Sequence, residues 1–257
     1  MMKNLLLLGM LIIAAGVAAQ QKPVPSGVYH VADAPVVKSG DRESRKFAEG
    51  STAELSYFRV HSSTQYKGAA PKPPHAQTDI EELIFVTEGT MKFTMGDKSQ
   101  VLKKGSIVLV PPHTMQATEN AGDGPLTYYV LMFRSNKPMD LERCAKAGGP
   151  VMLSADSLKY VPSAKGGGIK YFDRPTAMSE KLEMHITELK GRGPSHDPHT
   201  HVDTELILML EGECEESING KTYRGTAGDF FLMNSNELHG ITNIQDKPCR
   251  YLAIRWK

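Results

Sequence analysis

Cysteine, tryptophan and net charge are all scarce in this chain. Its 257 residues include three cysteines and one tryptophan, and 30 basic residues against 29 acidic ones leave a net charge of +1. Cys144, Cys214 and Cys249 show no C-x-x-C spacing, which argues against a disulfide scaffold and a thiolate metal cluster. Without net charge or Lys/Arg-rich runs, the chain has no general attraction to nucleic acid or to anionic membranes. The length allows one or two globular domains.

The chain has one long apolar run, which lies at its N-terminus. The residues from Leu5 to Ala19 follow a single lysine and end in small residues. Such a run is short for a membrane span but suits the core of a signal peptide. We therefore predict a signal peptide over residues 1–19 and an exported mature protein, periplasmic or secreted, without membrane attachment. A short membrane anchor is the alternative. In an exported protein Cys214 and Cys249 could pair, although buried thiols fit equally well.

Two segments of the chain repeat at one constant offset of 123 positions. "EELIFVTEG" (81–89) aligns with "TELILMLEG" (204–212), and "GSIVLVPPHTMQATEN" (105–120) aligns with "GDFFLMNSNELHGITN" (228–243). A period this long is not a solenoid repeat, so the offset indicates two copies of one domain. We place the first copy at residues 20–150 and the second at residues 151–257.

Each copy has the sequence pattern of an all-β domain. Short apolar runs alternate with turn signals, among which Asn219-Gly220 is the strongest hairpin signal, with Gly96-Asp97 in the matching place. The strand "ELILML" is apolar at both parities, so we expect one face inside a barrel and the other against the sister domain or a second chain. The segment 139–148 predicts a short helix, and "SAKGGG" (163–168) a linker or a loop leading into the second copy. These features favour two tandem antiparallel jelly-roll β-barrels.

A histidine-rich stretch, "HDPHTHVDTELILMLEG" (196–212), precedes the second of these apolar strands. His199, His201 and Glu205 share one parity, so on an extended strand they would share one face. Two imidazoles and a carboxylate suit Mn, Fe, Co, Ni or Zn better than calcium. His239, 34 residues after Glu205, is a fourth candidate. Ordinary hydrogen-bonded histidines in the core or at the surface are the alternative.

The other polar residues around this stretch are interpreted as structural. His196 suits a surface position or a position behind the ligands. Asp203 has the opposite parity and is expected to be a solvated loop residue. Glu211, Asp229 and Glu237 are candidates for a general base, but solvated caps describe them better.

The spacing of these residues resembles the two sequence motifs of the cupin family. The first motif is matched by Gly193-x5-His199-x-His201-x3-Glu205-x6-Gly212, and the second by Gly228-x5-Asn234-x-Asn236-x2-His239-x3-Asn243. Asn234 and Asn236 stand where the family usually has proline and glycine. The resemblance implies a bicupin, all-β with two cupin-type barrels. It also implies that His199, His201, Glu205 and His239 bind one divalent transition metal, with Mn, Fe, Zn, Ni and Co not distinguished.

The first copy matches the motif only in part. Its counterparts of the four ligands are His75, Gln77, Glu82 and Gln116. Glu82 follows Gln77 by five residues, which breaks the parity and requires a bulge or a bent loop. Two glutamines in place of two imidazoles lower the affinity for transition metals. We expect a metal-free partner domain with a polar pocket, and His113 is interpreted as a turn residue rather than as a substitute ligand.

The cupin resemblance leaves the chemistry open, because cupins of this kind include dioxygenases, decarboxylases, isomerases and aminohydrolases. Together with the predicted signal peptide, it implies an exported metal-dependent bicupin, an enzyme acting on a small carboxylate- or hydroxyl-bearing metabolite. The alternative is a non-catalytic module that binds a sugar or an organic acid beside a structural or anchoring metal. In either case the expected partner is a small molecule, with no nucleic acid, and a homodimer is one possibility.

Overall fold

The structure, a computed structural model, describes residues 21–257, so the predicted signal peptide over residues 1–19 lies outside the described residues. Ten strands precede the helix: β1 (Gly27–Tyr29), β2 (Val36–Ser39), β3 (Arg42–Gly50), β4 (Leu55–Gln65), β5 (Glu81–Glu88), β6 (Thr90–Met95), β7 (Lys98–Lys103), β8 (Ile107–Val110), β9 (Gln116–Asn120) and β10 (Leu126–Ser135). Across residues 21–257 no helix has the length and apolar character needed to cross a bilayer.

The second half of the chain repeats this pattern. Helix α1 (Leu141–Lys146) is followed by β11 (Val151–Leu153), a 3-10 helix (Ala155–Ser157), β12 (Tyr160–Ser163), β13 (Gly166–Arg174), β14 (Leu182–Leu189), β15 (Gly193–Pro194), β16 (Thr204–Glu211), β17 (Glu213–Ile218), β18 (Lys221–Thr226), β19 (Phe230–Met233), β20 (His239–Asn243) and β21 (Cys249–Trp256). The short helix expected within residues 139–148 is therefore present. Asp140 caps it by accepting a hydrogen bond from the Arg143 amide.

The strands form two jelly-roll barrels, as the sequence predicted. The first barrel consists of a seven-stranded sheet in the order β11-β8-β5-β10-β4-β3-β2 and a three-stranded sheet in the order β7-β6-β9. The second barrel consists of a seven-stranded sheet, β1-β19-β16-β21-β14-β13-β12, and a four-stranded sheet, β15-β20-β17-β18. Neighbouring strands within these sheets pair antiparallel. In each barrel the smaller sheet faces the seven-stranded sheet, and the space between the two sheets is the barrel interior.

The two barrels exchange edge strands. Strand β1, from the start of the described chain, pairs with β19 of the second barrel, with Gly27 opposite Leu232. Strand β11 pairs with β8 of the first barrel, with Val151 opposite Leu109. Backbone hydrogen bonding therefore crosses the boundary expected near residue 150 in both directions, which couples the two copies through their sheets.

The strand "ELILML" is buried on both faces because it separates two cores. Leu206 and Leu208 belong to a large apolar cluster between the two seven-stranded sheets, which includes Phe58 and Trp256. Ile207 and Met209 belong to a separate cluster inside the second barrel. The outer face of this strand thus packs against the sister domain. A homodimer stays a prediction.

The interpretation of residues 163–168 as a linker or connecting loop is wrong. Gly166, Gly167 and Gly168 form the start of β13, which pairs with both β12 and β14. A Cβ atom on Gly166 would lie 2.0 Å from the Glu188 carbonyl oxygen, and one on Gly168 would lie 2.6 Å from that of Ile186. Glycine is needed at these positions because the backbone of β14 lies too close to leave room for a side chain, a common reason for glycine inside a strand.

Candidate metal centre

Three histidines meet at the open end of the second barrel. One ring nitrogen each of His199, His201 and His239 lies within 4.8 Å of the others. His239 begins strand β20, and the backbones of His199 and His239 exchange two hydrogen bonds of 3.0 Å. This bridge fixes the distance between two of the three imidazoles. The sequence predicted the meeting of these residues.

His199 and His201 reach the site from a loop rather than from an extended strand, whereas His239 comes from β20. Strand β16 begins at Thr204, and residues 202–203 form a bend. The shared parity of His201 and Glu205 is therefore not what brings them together. Asp203 is also not a solvated residue: it is 5% exposed, and its carboxylate lies 2.7 Å from the Lys181 ammonium group. This half-buried ion pair holds the bend that turns His201 toward Glu205.

Backbone carbonyls orient two of the imidazoles. A carbonyl oxygen only accepts hydrogen bonds, so His201 Nδ1 donates to Asp203 O at 2.8 Å and His239 Nδ1 donates to Glu237 O at 2.8 Å. The Nε2 atoms of both rings are thereby directed at one carboxylate oxygen, Glu205 Oε2, at 3.0 and 3.3 Å. Such support behind an imidazole is typical of metal-binding histidines.

The charges in this group require a positive species between the imidazoles and the carboxylate. Burial would raise the pKa of Glu205, but hydrogen bonds with His201 and His239 hold that pKa at about 2. The carboxylate in turn raises the pKa of His201. A carboxylate oxygen and an unprotonated Nε2 both present lone pairs, so either protons or a metal cation must lie between them.

The donor set fits a metal ion. His199 Nδ1 is buried and has no hydrogen-bond partner among the groups described, and burial together with neighbouring imidazoles lowers the pKa of His199. A neutral, fixed imidazole is the form that binds divalent transition metals. The three histidines can therefore hold a metal ion. Glu205 as the fourth ligand stays a prediction.

A cavity of about 280 Å³, here called the metal-centre cavity, adjoins two of the three histidines, His199 and His239. Its wall includes His199, Glu205, Glu216, His239 and Arg255. Glu216 is 0% exposed, and neither carboxyl oxygen has a hydrogen-bond partner among the described residues. Burial raises the pKa of Glu216 well above the usual range, and the charge of Glu205 raises it further. Burial therefore favours the protonated form of Glu216.

The sequence interpretation missed Glu216, although a signal was present. In "ECEESI" the buried positions alternate as Cys214, Glu216 and Ile218, so Glu216 falls on the inward parity of β17. The corresponding residue of the first barrel is Phe93, which is fully buried in an apolar cluster. A buried carboxyl group at a position that the twin domain fills with a core phenylalanine makes Glu216 a candidate functional side chain.

The three acidic residues weighed as general bases lie elsewhere. Glu211 is exposed at the end of β16. Asp229 is buried rather than solvated, and its carboxylate accepts hydrogen bonds from the backbone amides of Val31 and Thr226. Glu237 accepts a hydrogen bond from the Asn234 amide within a turn. Asp229 and Glu237 thus stabilise backbone turns.

His196 lies beside the cluster of His199, His201 and His239 rather than within it. It forms part of the wall of the metal-centre cavity, and its ring packs edge-on against His199, with the ring centroids 4.5 Å apart. Its Nδ1 atom lies 3.0 Å from the Asp197 carbonyl oxygen.

The first barrel closes the equivalent site with amide groups. Gln77 Nε2 donates to Glu82 Oε1 at 2.8 Å, and Gln116 Nε2 donates to Glu82 Oε2 at 2.7 Å. Gln77 lies in the loop before β5, so a bent loop absorbs the extra residue between Gln77 and Glu82. Both carboxylate oxygens of Glu82 are satisfied without a cation.

Two histidines near this group, His75 and His113, do not add ligands to it. His75 is exposed and pairs through its backbone with Gln116, as His199 pairs with His239. His113 is exposed in a turn with a φ angle of 64°, and its amide donates to Gln77 O. Its counterpart Asn236 has a φ angle of 63° and donates to His201 O. His113 and Asn236 are therefore equivalent turn residues.

The barrels and the histidine cluster define this molecule as a bicupin with one histidine-based site. Residues 63–132 and residues 185–255 each match the family model described as "Cupin domain". The two matched segments together make up more than half of the chain. The chain therefore belongs to the cupin family. No curated protein matches the sequence as a relative.

Solved structures with the same fold are distant in sequence. The oxalate decarboxylase of Lactobacillus farciminis, in a formate complex, has 13% identity and a TM-score of 0.70, covering 91% of this chain and 87% of its own. The protein Ylba of E. coli has 15% identity and a TM-score of 0.70, covering 93% and 95%. The oxalate decarboxylase of Bacillus subtilis, described for its Mn(II) centres, has 13% identity and a TM-score of 0.69, covering 92% and 79%. At this identity the likeness shows the fold alone.

Proposed function

We propose that this protein is an exported, metal-dependent bicupin enzyme that acts on a small carboxylate- or hydroxyl-bearing metabolite in its second barrel. One observation carries the proposal. Two of the three converging histidines, His199 and His239, line a cavity whose wall also includes Glu216, a buried carboxyl group without a hydrogen-bond partner among the described residues. A metal site together with a buried acid of raised pKa is the combination expected of an active site.

His199, His201 and His239 would hold the metal, with Glu205 as the fourth ligand. A bound divalent ion would act as a Lewis acid on a substrate oxygen. Because the B. subtilis oxalate decarboxylase is described for Mn(II) centres, Mn is the first ion to test among Mn, Fe, Zn, Ni and Co.

The cavity walls limit the substrate to a small molecule. A volume of about 280 Å³ corresponds to roughly nine water molecules at about 30 Å³ each. Arg255 supplies positive charge to the wall, and its Nε donates to Glu183 at 2.8 Å. Because a guanidinium group has five N–H donors, the remaining ones can orient a substrate carboxylate.

Glu216 would exchange a proton with the substrate. A neutral carboxylic acid in a buried cavity can protonate a developing carbanion or accept a proton as the reaction reverses. Decarboxylation and isomerisation both need such a proton transfer. Among the reaction types known for cupins, these two therefore fit the cavity best.

Metal analysis and a metabolite screen test the proposal. We expect purified protein to contain one transition metal ion per chain, and His201→Ala and His239→Ala each to lose most of it. Gln116→Ala is the matched control in the first barrel and should retain the metal. Equal metal content in wild type and His201→Ala, measured by mass spectrometry of the digested protein, would contradict the site. Metabolite binding without turnover would favour the non-catalytic module.

Export is tested separately. The proposed signal peptide over residues 1–19 predicts that protein recovered from the periplasm or the medium begins at Gln20. Retention of residues 1–19 in a membrane fraction would instead indicate the short anchor.

A further inference from the structure

Two of the three clustered histidines depend on one turn. Residues 234–237, between β19 and β20, are here called the metal-centre turn. The Asn236 amide donates a hydrogen bond to the His201 carbonyl oxygen at 2.8 Å. The Glu237 carbonyl oxygen accepts one from His239 Nδ1 at 2.8 Å. The conformation of this turn therefore sets where the His201 backbone lies and where the His239 ring points.

A segment from the start of the described chain holds the metal-centre turn through Asn234. In this N-terminal segment, residues 23–29, Ser26 Oγ accepts hydrogen bonds from the Asn234 amide at 3.1 Å and from Asn234 Nδ2 at 2.7 Å. The same Nδ2 atom donates to the Val24 carbonyl oxygen at 3.2 Å. Within the turn, the Asn234 amide also donates to Glu237 Oε2 at 3.0 Å. The turn is thus bound by residues that lie more than 200 positions earlier, since Ser26 and Asn234 are 208 residues apart.

The N-terminal segment is itself anchored in both barrels. Val24 is buried, and its amide donates to the carbonyl oxygen of Ser51, which follows β3, at 2.9 Å. Strand β1 begins directly after Ser26, and its Gly27 pairs with Leu232 of β19. Because the chain is fixed on both sides of Ser26, the hydroxyl group of Ser26 is held in place against the metal-centre turn.

The first barrel has a proline in the equivalent turn. Pro111 is the counterpart of Asn234 at the offset of 123 positions. The two turns share a left-handed residue two positions later, since His113 and Asn236 have φ angles of 64° and 63°. A proline fixes its own φ angle and keeps the preceding residue out of the helical region. The turn of the first barrel is therefore restricted by its own covalent structure.

The chain beside this turn differs between the barrels as well. Strand β11 takes the place of β1, and the residue before it is Pro150, where the second barrel has Ser26. Pro150 has no hydroxyl group and Pro111 has no amide hydrogen, so the contact between Ser26 and Asn234 cannot form in the first barrel. One barrel thus has the proline, and the other has the hydrogen-bonded segment.

We propose that the N-terminal segment positions the metal centre, with Ser26 and Asn234 as positioning residues that restrict the turn as proline does in the first barrel. This inference rests on the metal centre proposed above. A turn held in one conformation keeps His201 and His239 convergent in the metal-free protein, so less binding free energy is spent on ordering the ligands. Loss of the contact should therefore weaken metal binding although every ligand remains.

Chelator competition measures the Kd for Mn²⁺ and Co²⁺ in the full chain, in Ser26→Ala, in Asn234→Pro and in the double variant. We expect Ser26→Ala to raise the Kd about fivefold, the factor that corresponds to the net free energy of one hydrogen bond. Asn234→Pro should bind the metal as the wild type does, because the proline restricts the turn directly. In the Asn234→Pro background, Ser26→Ala should have no further effect. Ser99→Ala, which removes an exposed hydroxyl group of the first barrel, is the matched control and should leave the Kd unchanged.

Two further measurements separate positioning from a purely structural role. The urea midpoint of the metal-free proteins reports the stability of the fold, and the absorption spectrum of bound Co²⁺ reports the ligand geometry. A lower midpoint for Ser26→Ala with an unchanged Kd and Co²⁺ spectrum would overturn the proposal, because the segment would then stabilise only the fold. An equal effect of Ser26→Ala with and without Asn234→Pro would overturn it too. A wild type that binds neither ion would overturn the metal centre itself and this inference with it.

Discussion

Two substitutions in the first barrel should create a second metal site. In the wild type Gln77 and Gln116 each contact the Glu82 carboxylate, at 2.8 and 2.7 Å. His201 and His239 contact Glu205 at 3.0 and 3.3 Å. The side chains of the first barrel already converge, so the type of donor distinguishes the two sites. Gln77→His combined with Gln116→His is therefore expected to raise the metal content from one ion per chain to two.

The stability gain can be estimated from ligand linkage. A metal that binds only the folded state stabilises it by about 4 kcal/mol at a thousandfold excess over its Kd. For a chain of this size each kcal/mol shifts the Tm by roughly 2–4 °C. The double variant should thus show an additional metal-dependent Tm shift on the order of 10 °C compared with the wild type. Elemental analysis and scanning calorimetry, each with and without MnCl2, measure these two quantities.

Gln116→His alone serves as the control, because one added imidazole does not make a site. It should bind one ion per chain, as the wild type does. A double variant that folds, shown by an unchanged circular dichroism spectrum, and still binds one ion would refute the reasoning. The extra residue between Gln77 and Glu82 would then account for the lost metal site.

Other predictions concern a buried acid, a thiol pair and a glycine. Burial raises the pKa of Glu216, so the folded state holds a proton that the unfolded state releases, and metal-free protein loses stability as the pH rises above about 4.5. Glu216→Gln should remove this loss, so its urea midpoint should exceed that of the wild type at about pH 8 but not at about pH 4. If the variant and the wild type have equal midpoints at both pH values, the prediction is contradicted. The Cys214 and Cys249 sulfur atoms lie 3.1 Å apart, so diamide should join them and leave one alkylatable thiol per denatured chain, whereas three would contradict the pairing. Gly168→Ala should cost about 1–3 kcal/mol in chemical denaturation, since its Cβ would lie 2.6 Å from the Ile186 carbonyl oxygen; an unchanged midpoint would show that β13 can shift.

The architecture could be predicted because it is encoded in local patterns. The constant offset of 123 positions indicated two copies, and the strand that is apolar at both parities indicated cover on both faces. The Asn219-Gly220 signal is the turn between β17 and β18, with both φ angles positive. The strand and turn patterns depend on residues that are near one another in the chain, and the repeat is visible as similar letters, so both can be recognised in the sequence. The exchange of β1 and β11 depends on contacts far apart in the chain and had no local signal.

The meeting of the three histidines could be predicted from the sequence, but the geometry of the candidate site could not. His199, His201 and His239 converge, yet the first two lie in a loop, next to the half-buried Lys181–Asp203 ion pair. Asp203 was interpreted as solvated because its partner, Lys181, lies 22 residues away in the chain. Tertiary pairing of this kind overrides the parity that an extended strand would impose.

The two barrels show how one fold can surround the same central carboxylate with different donors. In the second barrel the imidazoles of His201 and His239 contact Glu205. In the first barrel the amides of Gln77 and Gln116 contact Glu82 and satisfy both of its oxygen atoms. Because the backbone pairings are equivalent, an exchange of two side chains is enough to replace neutral amide donors with imidazoles that can bind a metal ion. Duplication thus lets the interior of one barrel change while the core shared by the two barrels is kept.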